Sequence, residues 1–250
     1  MKYTVQQGEG SSVIFSAEKS KTRATLQIYG QSAKCFAGIV KKKLKPNRQY
    51  VIVDLGSFDG KFLKNFFKLL PKYKFYSIGI DRWKNIRENN VVKKKIISDI
   101  ANIPLPNNSA DVVLARYVLI WNNAEKQKNI LKEISRITRR FAIIQTAGAS
   151  VSNPDLWKKN MARLLSGKEV YKLKRVGYYF SSMDEIEKWM KELKIDFQRV
   201  QNRKVSKFSD VFCEKYNLNK KERDIVRDIL GDQDFTIQNT WIIYPKNKCR

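Results

Sequence analysis

The sequence contains no histidine and only three cysteines, Cys35, Cys213 and Cys249. The absence of histidine argues against a His-ligated zinc site and against a His-based catalytic triad. The cysteines are odd in number and far apart, so they indicate neither a disulfide framework nor a Cys-x-x-Cys metal site. We therefore expect no bound metal.

Long apolar runs are also lacking. No stretch of about 18 uncharged apolar residues occurs, and the opening MKYTVQQGEGSS has no apolar segment of the kind found in signal peptides. A length of 250 residues suits one large α/β domain. We expect a cytoplasmic protein with no membrane insertion, whose oligomeric state the sequence leaves open.

Acidic residues are scarce: 24 Asp and Glu stand against 50 Lys and Arg, a formal net charge of +26. Such an excess predicts attraction to polyanions such as RNA or DNA. An alternative is that AT-rich coding produced the many Lys, Asn and Ile residues without any selected partner. That alternative explains the abundant lysines but not the shortage of acids, so both interpretations stay open.

The order of apolar segments predicts an α/β fold. After an N-terminal arm and helix at 1–45, short apolar strands alternate with amphipathic helices through 46–250, which predicts a Rossmann-like, doubly wound, mostly parallel sheet of seven strands with helices on both faces. Residues 150–180 break this alternation and predict a helical lid insertion. The expected strands are 50–55, 75–80, 91–98, 111–115, 141–146, 197–205 and 236–244, and the expected helices are 26–40, 61–70, 124–139, one from Ser182 and 219–230.

One spacing carries chemical information. Asp54 ends the first strand, Gly56 and Gly60 form the turn into the next helix, and Asp81 ends the second strand 21 residues beyond Gly60. Glycines at such a turn let the backbone approach a ligand closely, and a carboxylate at that separation can accept both hydroxyls of an adenosine ribose. Each acid alone also fits an ordinary turn or helix cap, but the joint spacing favours a nucleotide-type cofactor.

These residues, together with Asp99-Ile100 after the third strand and the loop 103–113, make the sequence resemble the class I S-adenosylmethionine-dependent methyltransferases. The resemblance is strongest to the branch that shares its organisation with the ubiquinone and menaquinone biosynthesis enzymes, over about residues 45–150. It implies an enzyme whose cofactor is S-adenosylmethionine, with the methionine end in the loop after the first strand, the ribose at Asp81 and the adenine beside Asp99. The implied cofactor-binding residues are Asp54, Gly56, Ser57, Phe58, Gly60, Asp81, Arg82, Asp99, Ile100 and Arg116.

Phe58 departs from the family pattern because it replaces the middle glycine of the usual Gly-x-Gly-x-Gly turn. Its side chain could pack beside the cofactor or narrow the pocket. A nicotinamide dehydrogenase would use a similar turn, but its third glycine normally falls one residue later. A binding protein that kept the fold without turnover is a further, non-enzymatic alternative.

The methyl acceptor is less well defined. The Asn/Asp-Pro-Pro-Tyr motif of base-amino methyltransferases and a Pro-Cys nucleophile are both absent. Tyr117 and Trp121 are candidate substrate-binding residues, or core aromatics. The segment 150–180 interleaves basic and aromatic residues, which suits RNA contacts but equally an amphipathic helix on the sheet. The sequence therefore leaves two acceptors open, RNA (tRNA or rRNA) or another anion, and a small molecule.

Overall fold

The computed structural model describes residues 23–58, 60–82, 91–149, 154–170, 181–200, 206–207, 213, 217–231 and 234–245. The N-terminal arm predicted at 1–20 lies outside these residues, and so do residues 150–153 and 171–180 of the predicted lid and residues 201–205 of the predicted strand 197–205. Within the predicted lid, residues Pro154–Leu165 form a helix.

Helices and strands alternate along the described chain as the apolar pattern predicts. The helices are α1 (Arg23–Lys43), α2 (Lys61–Lys68), α3 (Ala124–Ile137), α4 (Pro154–Leu165), α5 (Met183–Glu192) and α6 (Lys220–Leu230). The strands are β1 (Gln49–Leu55), β2 (Lys74–Asp81), β3 (Lys94–Ile97), β4 (Ala110–Arg116), β5 (Thr138–Ala149), β6 (Asp196–Val200), β7 (Ser206–Lys207) and β8 (Asp234–Tyr244). A 3-10 turn, Leu119–Trp121, follows β4.

The strands form one mostly parallel sheet in the order β3-β2-β1-β4-β5-β8-β6. Strands β1 to β5 pair in parallel, whereas β8 runs antiparallel to both β5 and β6. The predicted seven-stranded, doubly wound architecture is confirmed along this path. The two-residue strand β7, which pairs with β8, adds an eighth strand that the apolar pattern did not indicate.

Successive residues of a strand point to opposite faces of the sheet, so the buried strands present apolar side chains on both faces. Helices cover both of these faces. On one face Ile52 and Leu114 pack with α1 and α2. On the other face Val53 and Val113 pack with α3 and α5. All four side chains are fully buried. Helices therefore lie on both faces, as predicted.

Two helix starts follow local capping rules. The Ser182 hydroxyl accepts a hydrogen bond from the Glu185 N–H over 3.1 Å at the start of α5. At the start of α6 the bonding is reciprocal: Asn219 accepts from the Glu222 N–H over 2.9 Å, and Glu222 accepts from the Asn219 N–H over 2.8 Å. These bonds satisfy N–H groups that have no partner inside the helix.

Strand β3 is shorter than the expected 91–98. Its expected first residues bond to Ser77 of β2 instead of continuing the β2–β3 ladder. The Ser77 hydroxyl donates to the Val91 carbonyl, and the Lys93 N–H donates to the Ser77 carbonyl over 3.0 Å. Ser77 thus holds the approach to β3 as a turn.

In the described part of the chain, no helix combines the length and apolar character needed to cross a bilayer. Among the same residues, no three His, Cys, Asp or Glu side chains gather into a group suited to a metal ion.

Candidate active site

The acids at the strand ends meet at one edge of the sheet. Asp54 is the second-last residue of β1, Asp81 is the last residue of β2, and Asp99 lies two residues beyond the end of β3. Because β3, β2 and β1 are adjacent and parallel, their carboxyl ends share one edge. Arg116, the last residue of β4, completes this edge on the other side of β1. In doubly wound sheets this edge is where ligands bind.

The loop after β1 depends on glycine at two positions. Gly56 has φ of +69° and Gly60 has φ of +67°, a left-handed conformation that side chains disfavour. A Cβ on Gly56 would lie 2.6 Å from Cγ1 of Val118, so the loop also packs too closely against the segment after β4 for a side chain. Gly60 directly precedes α2 and therefore sets where that helix begins.

Between these glycines, Ser57 and Phe58 differ sharply in environment. Ser57 is 5% exposed, and its hydroxyl has no hydrogen-bond partner within the described structure. Phe58 is 42% exposed and has φ of +42°, so a bulky residue occupies a left-handed position beside the site. A buried, unsatisfied hydroxyl next to backbone in this conformation fits a loop that receives a polar ligand.

Asp81 is half-buried, and its Oδ2 accepts a hydrogen bond from the Phe58 N–H over 3.0 Å. The carboxylate therefore faces the loop after β1 rather than pointing away from it. The ribose role of Asp81 stays a prediction.

Asp54 lies deepest in the site, at 3% exposure. Burial raises the pKa of its carboxyl to about 7, while the positive charge of Arg116 opposes this rise and the negative charge of Asp81 adds to it. Near neutral pH, this group is therefore poised between its protonated and ionised forms. A cation entering the site would favour the ionised form.

Asp99 has cationic neighbours instead. Its Oδ2 pairs with Lys126 and, at 3.9 Å, with Arg82, while its Oδ1 accepts from the Ala101 N–H over 2.9 Å. Burial acts to raise the pKa of Asp99, but the bonds from Lys126 and Ala101 outweigh it and the pKa lies below its ordinary value. Asp99 is therefore ionised at neutral pH. Ile100 beside it is buried.

On the β4 side of the site, Arg116 is half-buried among aromatic rings. Its guanidinium carbon lies 4.8 Å from the ring centre of Phe62 and 5.4 Å from that of Tyr117, which are cation–π distances. Tyr117 has φ of +56°, and its N–H donates to the Gln145 carbonyl over 2.7 Å. Trp121 is half-buried in the 3-10 turn. Both aromatic candidates thus follow the end of β4, partly open to solvent.

The loop into β4 is held by Arg136 of α3. Its guanidinium donates to the carbonyls of Ile103 and Leu105, each over 2.7 Å, and pairs with Glu133. Glu133 in turn accepts from the Ile103 N–H over 2.7 Å. These bonds fix the segment that resembles the family's loop into the fourth strand.

Two groups near the site were not indicated by the sequence. Lys126 pairs with Asp99, although nothing in its sequence context distinguishes it from the many other lysines. Gln145 of β5 is buried, accepts from the Ser32 hydroxyl over 2.6 Å and donates to the Thr240 hydroxyl over 3.0 Å. A glutamine inside an apolar strand was the available signal, because a buried amide needs partners.

A comparison with protein-family models agrees with this architecture. Residues 53–144, which contain Asp54, Asp81, Asp99 and Arg116, match the model of a methyltransferase domain. Residues 53–144 therefore resemble a methyltransferase domain, in agreement with the predicted S-adenosylmethionine-dependent methyltransferase and its cofactor, and the predicted class I fold is confirmed.

Solved structures show the same fold at low sequence identity. The YcgJ protein of Bacillus subtilis is 13% identical with a TM-score of 0.58, and the match covers 87% of this chain and 99% of that one. An S-adenosylmethionine-dependent methyltransferase of Methanosarcina mazei is 12% identical with a TM-score of 0.52, covering 83% and 96%.

The chain is also similar to phosphoethanolamine N-methyltransferase 2 of Haemonchus contortus, solved with S-adenosylhomocysteine and phosphomonomethylethanolamine. That protein is 12% identical with a TM-score of 0.54, and the match covers 92% of this chain and 60% of that one. A search of curated protein sequences gives no match.

Proposed function

We propose that this chain transfers a methyl group from S-adenosylmethionine to RNA. The observation that carries the cofactor part is the convergence of Asp54, Asp81 and Asp99 on one edge of the sheet. The acceptor part is supported by the net charge of +26, which favours a polyanionic partner.

Each cofactor contact follows from the position of a residue in the site. Asp81 binds the ribose hydroxyls, and Asp99 with Ile100 lies beside the adenine, with Arg82 next to Asp99. The loop of Gly56, Ser57, Phe58 and Gly60 surrounds the methionine end, where the Ser57 hydroxyl lacks a partner within the described structure. Asp54 and Arg116 supply opposite charges for the ammonium and carboxylate of that end.

When bound, S-adenosylmethionine supplies a methyl group on a reactive sulfonium, so the protein mainly has to hold the acceptor in line with it and exclude water. Tyr117 and Trp121 follow β4 at the edge where Arg116 lies and are the proposed acceptor-side residues. Arg116 is held by two aromatic rings, which keeps a fixed positive charge near them.

A second candidate is methylation of a small anionic molecule. The similar Haemonchus contortus enzyme was solved with a phosphorylated small molecule. In this alternative the half-buried Arg116 binds a phosphate group on the acceptor instead of the cofactor carboxylate. Under this alternative, the surface lysines have no role in catalysis.

The experiment begins with titration calorimetry of S-adenosylmethionine into the protein. Absence of binding at millimolar ligand would exclude both enzyme functions and leave a binding protein that kept the fold. The protein is then incubated with methyl-labelled S-adenosylmethionine and bulk tRNA or rRNA, and binding to the RNA is measured over a salt series. We expect label in the RNA and a steep loss of affinity with salt. Failure to bind RNA below micromolar concentration at moderate salt would remove RNA as the acceptor.

A further inference from the structure

Positive charge is distributed unevenly over the two faces of the molecule. Residues 23–53, which form α1 and most of β1, contain seven Lys and Arg and no Asp or Glu. Helix α2 contains three Lys and no acid. By contrast, α5 on the other sheet face contains four acids and two Lys, and α6 contains three acids and four basic residues. Helices α1 and α2 together carry a formal charge of +8, whereas α3 and α5 on the other sheet face together carry no net charge, although most of the total of +26 comes from other parts of the chain.

Helices α1 and α2 lie side by side on one sheet face. Phe36 of α1 and Phe62 of α2 meet edge to face with ring centres 5.4 Å apart, and both are buried in the same core. The outward side chains of these helices and of the loops beside them are exposed and basic. We name this set the α1–α2 basic surface: Lys34, Lys41, Lys42, Lys43, Lys45, Arg48, Lys61, Lys64, Lys68, Lys72 and Lys74.

The α1–α2 basic surface extends from the active-site edge to the opposite edge of the sheet. Lys61 begins α2 immediately after the cofactor loop, at the carboxyl edge of the strands. Lys43, at the end of α1, donates a hydrogen bond to the hydroxyl of Tyr244. Tyr244 ends β8, and because β8 is antiparallel to β5, this residue lies at the edge where the parallel strands begin. The seven residues of β1 separate these edges by about 20 Å. A small acceptor cannot contact both ends.

Several bases outside this surface are paired with acids. Asp111 pairs with Arg139 and Arg140, Glu192 with Lys128, and Glu169 with Arg163. Between Arg23 and Ile80, the only acidic residues are Asp54, which is buried, and Asp59. A uniform compositional excess of lysine would not separate acids and bases in this way.

We infer that the α1–α2 basic surface binds the phosphate backbone of the RNA whose nucleotide enters the active site. This inference rests on the proposed function and adds the location of docking. Lys61, Lys64 and Lys68 recur at three- and four-residue steps along the outer side of α2, while Phe62, Leu63 and Phe66 face the core. Such a row of ammonium groups can contact successive phosphates of an RNA backbone without contacting the bases.

The test compares two variants that lose the same number of positive charges. The surface variant is K41Q/K42Q/K64Q/K68Q, which leaves Lys43 and its bond to Tyr244 intact. The control variant is K188Q/K191Q/K220Q/K221Q, four exposed lysines on α5 and α6. Calorimetry with S-adenosylmethionine and circular dichroism establish that both variants remain folded and bind cofactor like the unmodified protein. Binding of fluorescently labelled bulk tRNA is then measured between about 50 and 200 mM salt.

We expect the slope of log affinity against log salt to become shallower by about 2 to 3 in the surface variant, close to one phosphate contact per lysine, and by less than 1 in the control. Equal changes in both variants would overturn the inference, because net charge alone would then explain binding. If the unmodified protein binds and methylates tRNA but the surface variant behaves like the control variant, the docking inference is overturned while RNA methylation stands. Failure of the unmodified protein to bind tRNA would instead refute the proposed acceptor, and the docking surface with it.

Discussion

The backbone N–H of Phe58 donates a hydrogen bond to Oδ2 of Asp81 over 3.0 Å. This bond joins the loop after β1 to the end of β2, so the two cofactor-binding segments predicted from the sequence hold each other in place. The loop achieves this with Phe58 in a left-handed conformation, at φ of +42°. Changes at either residue should therefore affect both cofactor affinity and the geometry of the loop.

Replacing Asp81 should weaken cofactor binding. In Asp81→Ala the ribose hydroxyls lose their acceptor, and we expect binding of S-adenosylmethionine to weaken by about 1–3 kcal/mol, measured by titration calorimetry. Asp81→Asn keeps an acceptor for the Phe58 N–H and separates the loss of charge from the loss of the loop bond. Asp228→Ala, an exposed acid on α6, is the matched control and should leave affinity unchanged. An unaltered affinity in Asp81→Ala would contradict the ribose assignment.

The left-handed conformation of Phe58 should be visible in stability. Phe58→Gly and Phe58→Ala both remove the ring, but only glycine adopts this φ without steric cost. Because that cost is about 1–2 kcal/mol, partly offset by the flexibility of glycine in the unfolded chain, we expect Phe58→Gly to be more stable than Phe58→Ala by about 1 kcal/mol in urea unfolding.

The same two variants test the ring. We expect both variants to bind S-adenosylmethionine more weakly than the unmodified protein, because in the unmodified protein the Phe58 ring packs beside the cofactor. Tighter binding in both would show instead that Phe58 narrows the pocket.

The buried carboxyl of Asp54 should make stability depend on pH. Its pKa is raised to about 7 when folded, whereas an unfolded Asp titrates near about 3.9. Between about pH 4 and pH 7 the folded state keeps a proton that the unfolded state has lost, so stability falls as pH rises through this window. Over this pH window we expect the free energy of unfolding of the unmodified protein to fall by roughly 3 to 4 kcal/mol more than that of Asp54→Asn, which cannot ionise at this position.

Urea unfolding of both proteins at several pH values from 4.5 to about 8 measures this difference. A constant difference across the range would show that Asp54 titrates at its ordinary pKa, and that burial does not control its charge.

Glycine at position 56 should be required for stability. Gly56→Ala adds a Cβ 2.6 Å from Val118 Cγ1 at a φ of +69°. The backbone conformation costs about 1–2 kcal/mol and overpacking adds about 1–3 kcal/mol. Gly38→Ala is the matched control, because Gly38 lies inside α1 with no atom within 4 Å of the added Cβ. There we expect a gain of about 0.5–1 kcal/mol in urea unfolding. Similar effects at both positions would refute the close approach of the loop to Val118.

Much of the fold was predictable because its apolar segments are short and clearly separated. Strand β1 was expected at 50–55 and is found at Gln49–Leu55, and α6 was expected at 219–230 and is found at Lys220–Leu230. The direction of β8 and its place between β5 and β6 were not predictable from that pattern. Alternation of apolar and polar residues has the same form in parallel and antiparallel strands, so it carries no information on direction.

For the site, the sequence predicted which residues would gather but not what each would contact. The strand-end acids were found from spacing, since parallel strands place their carboxyl ends together. The pairing of Asp99 with Lys126 joins residues 27 positions apart, and the bonding of Gln145 to Ser32 joins residues 113 apart. Such contacts depend on how helices pack on the sheet, which local patterns do not specify.

The placement of β8 also determines the order in which the sheet is completed during synthesis. Strand β5 pairs with β8 through residues such as Ile143 and Ile242, and β6 pairs with β8 through Phe197 and Ile243. Among the described strands, β8 lies between β5 and β6, which do not pair with each other. A nascent chain that has emerged only through β6 therefore presents β5 as an open edge strand, the kind of edge that invites association with other chains. Pairing of β8 with β5 removes that open edge. Because this pairing joins residues far apart in the sequence, we expect it to be the slow step of folding.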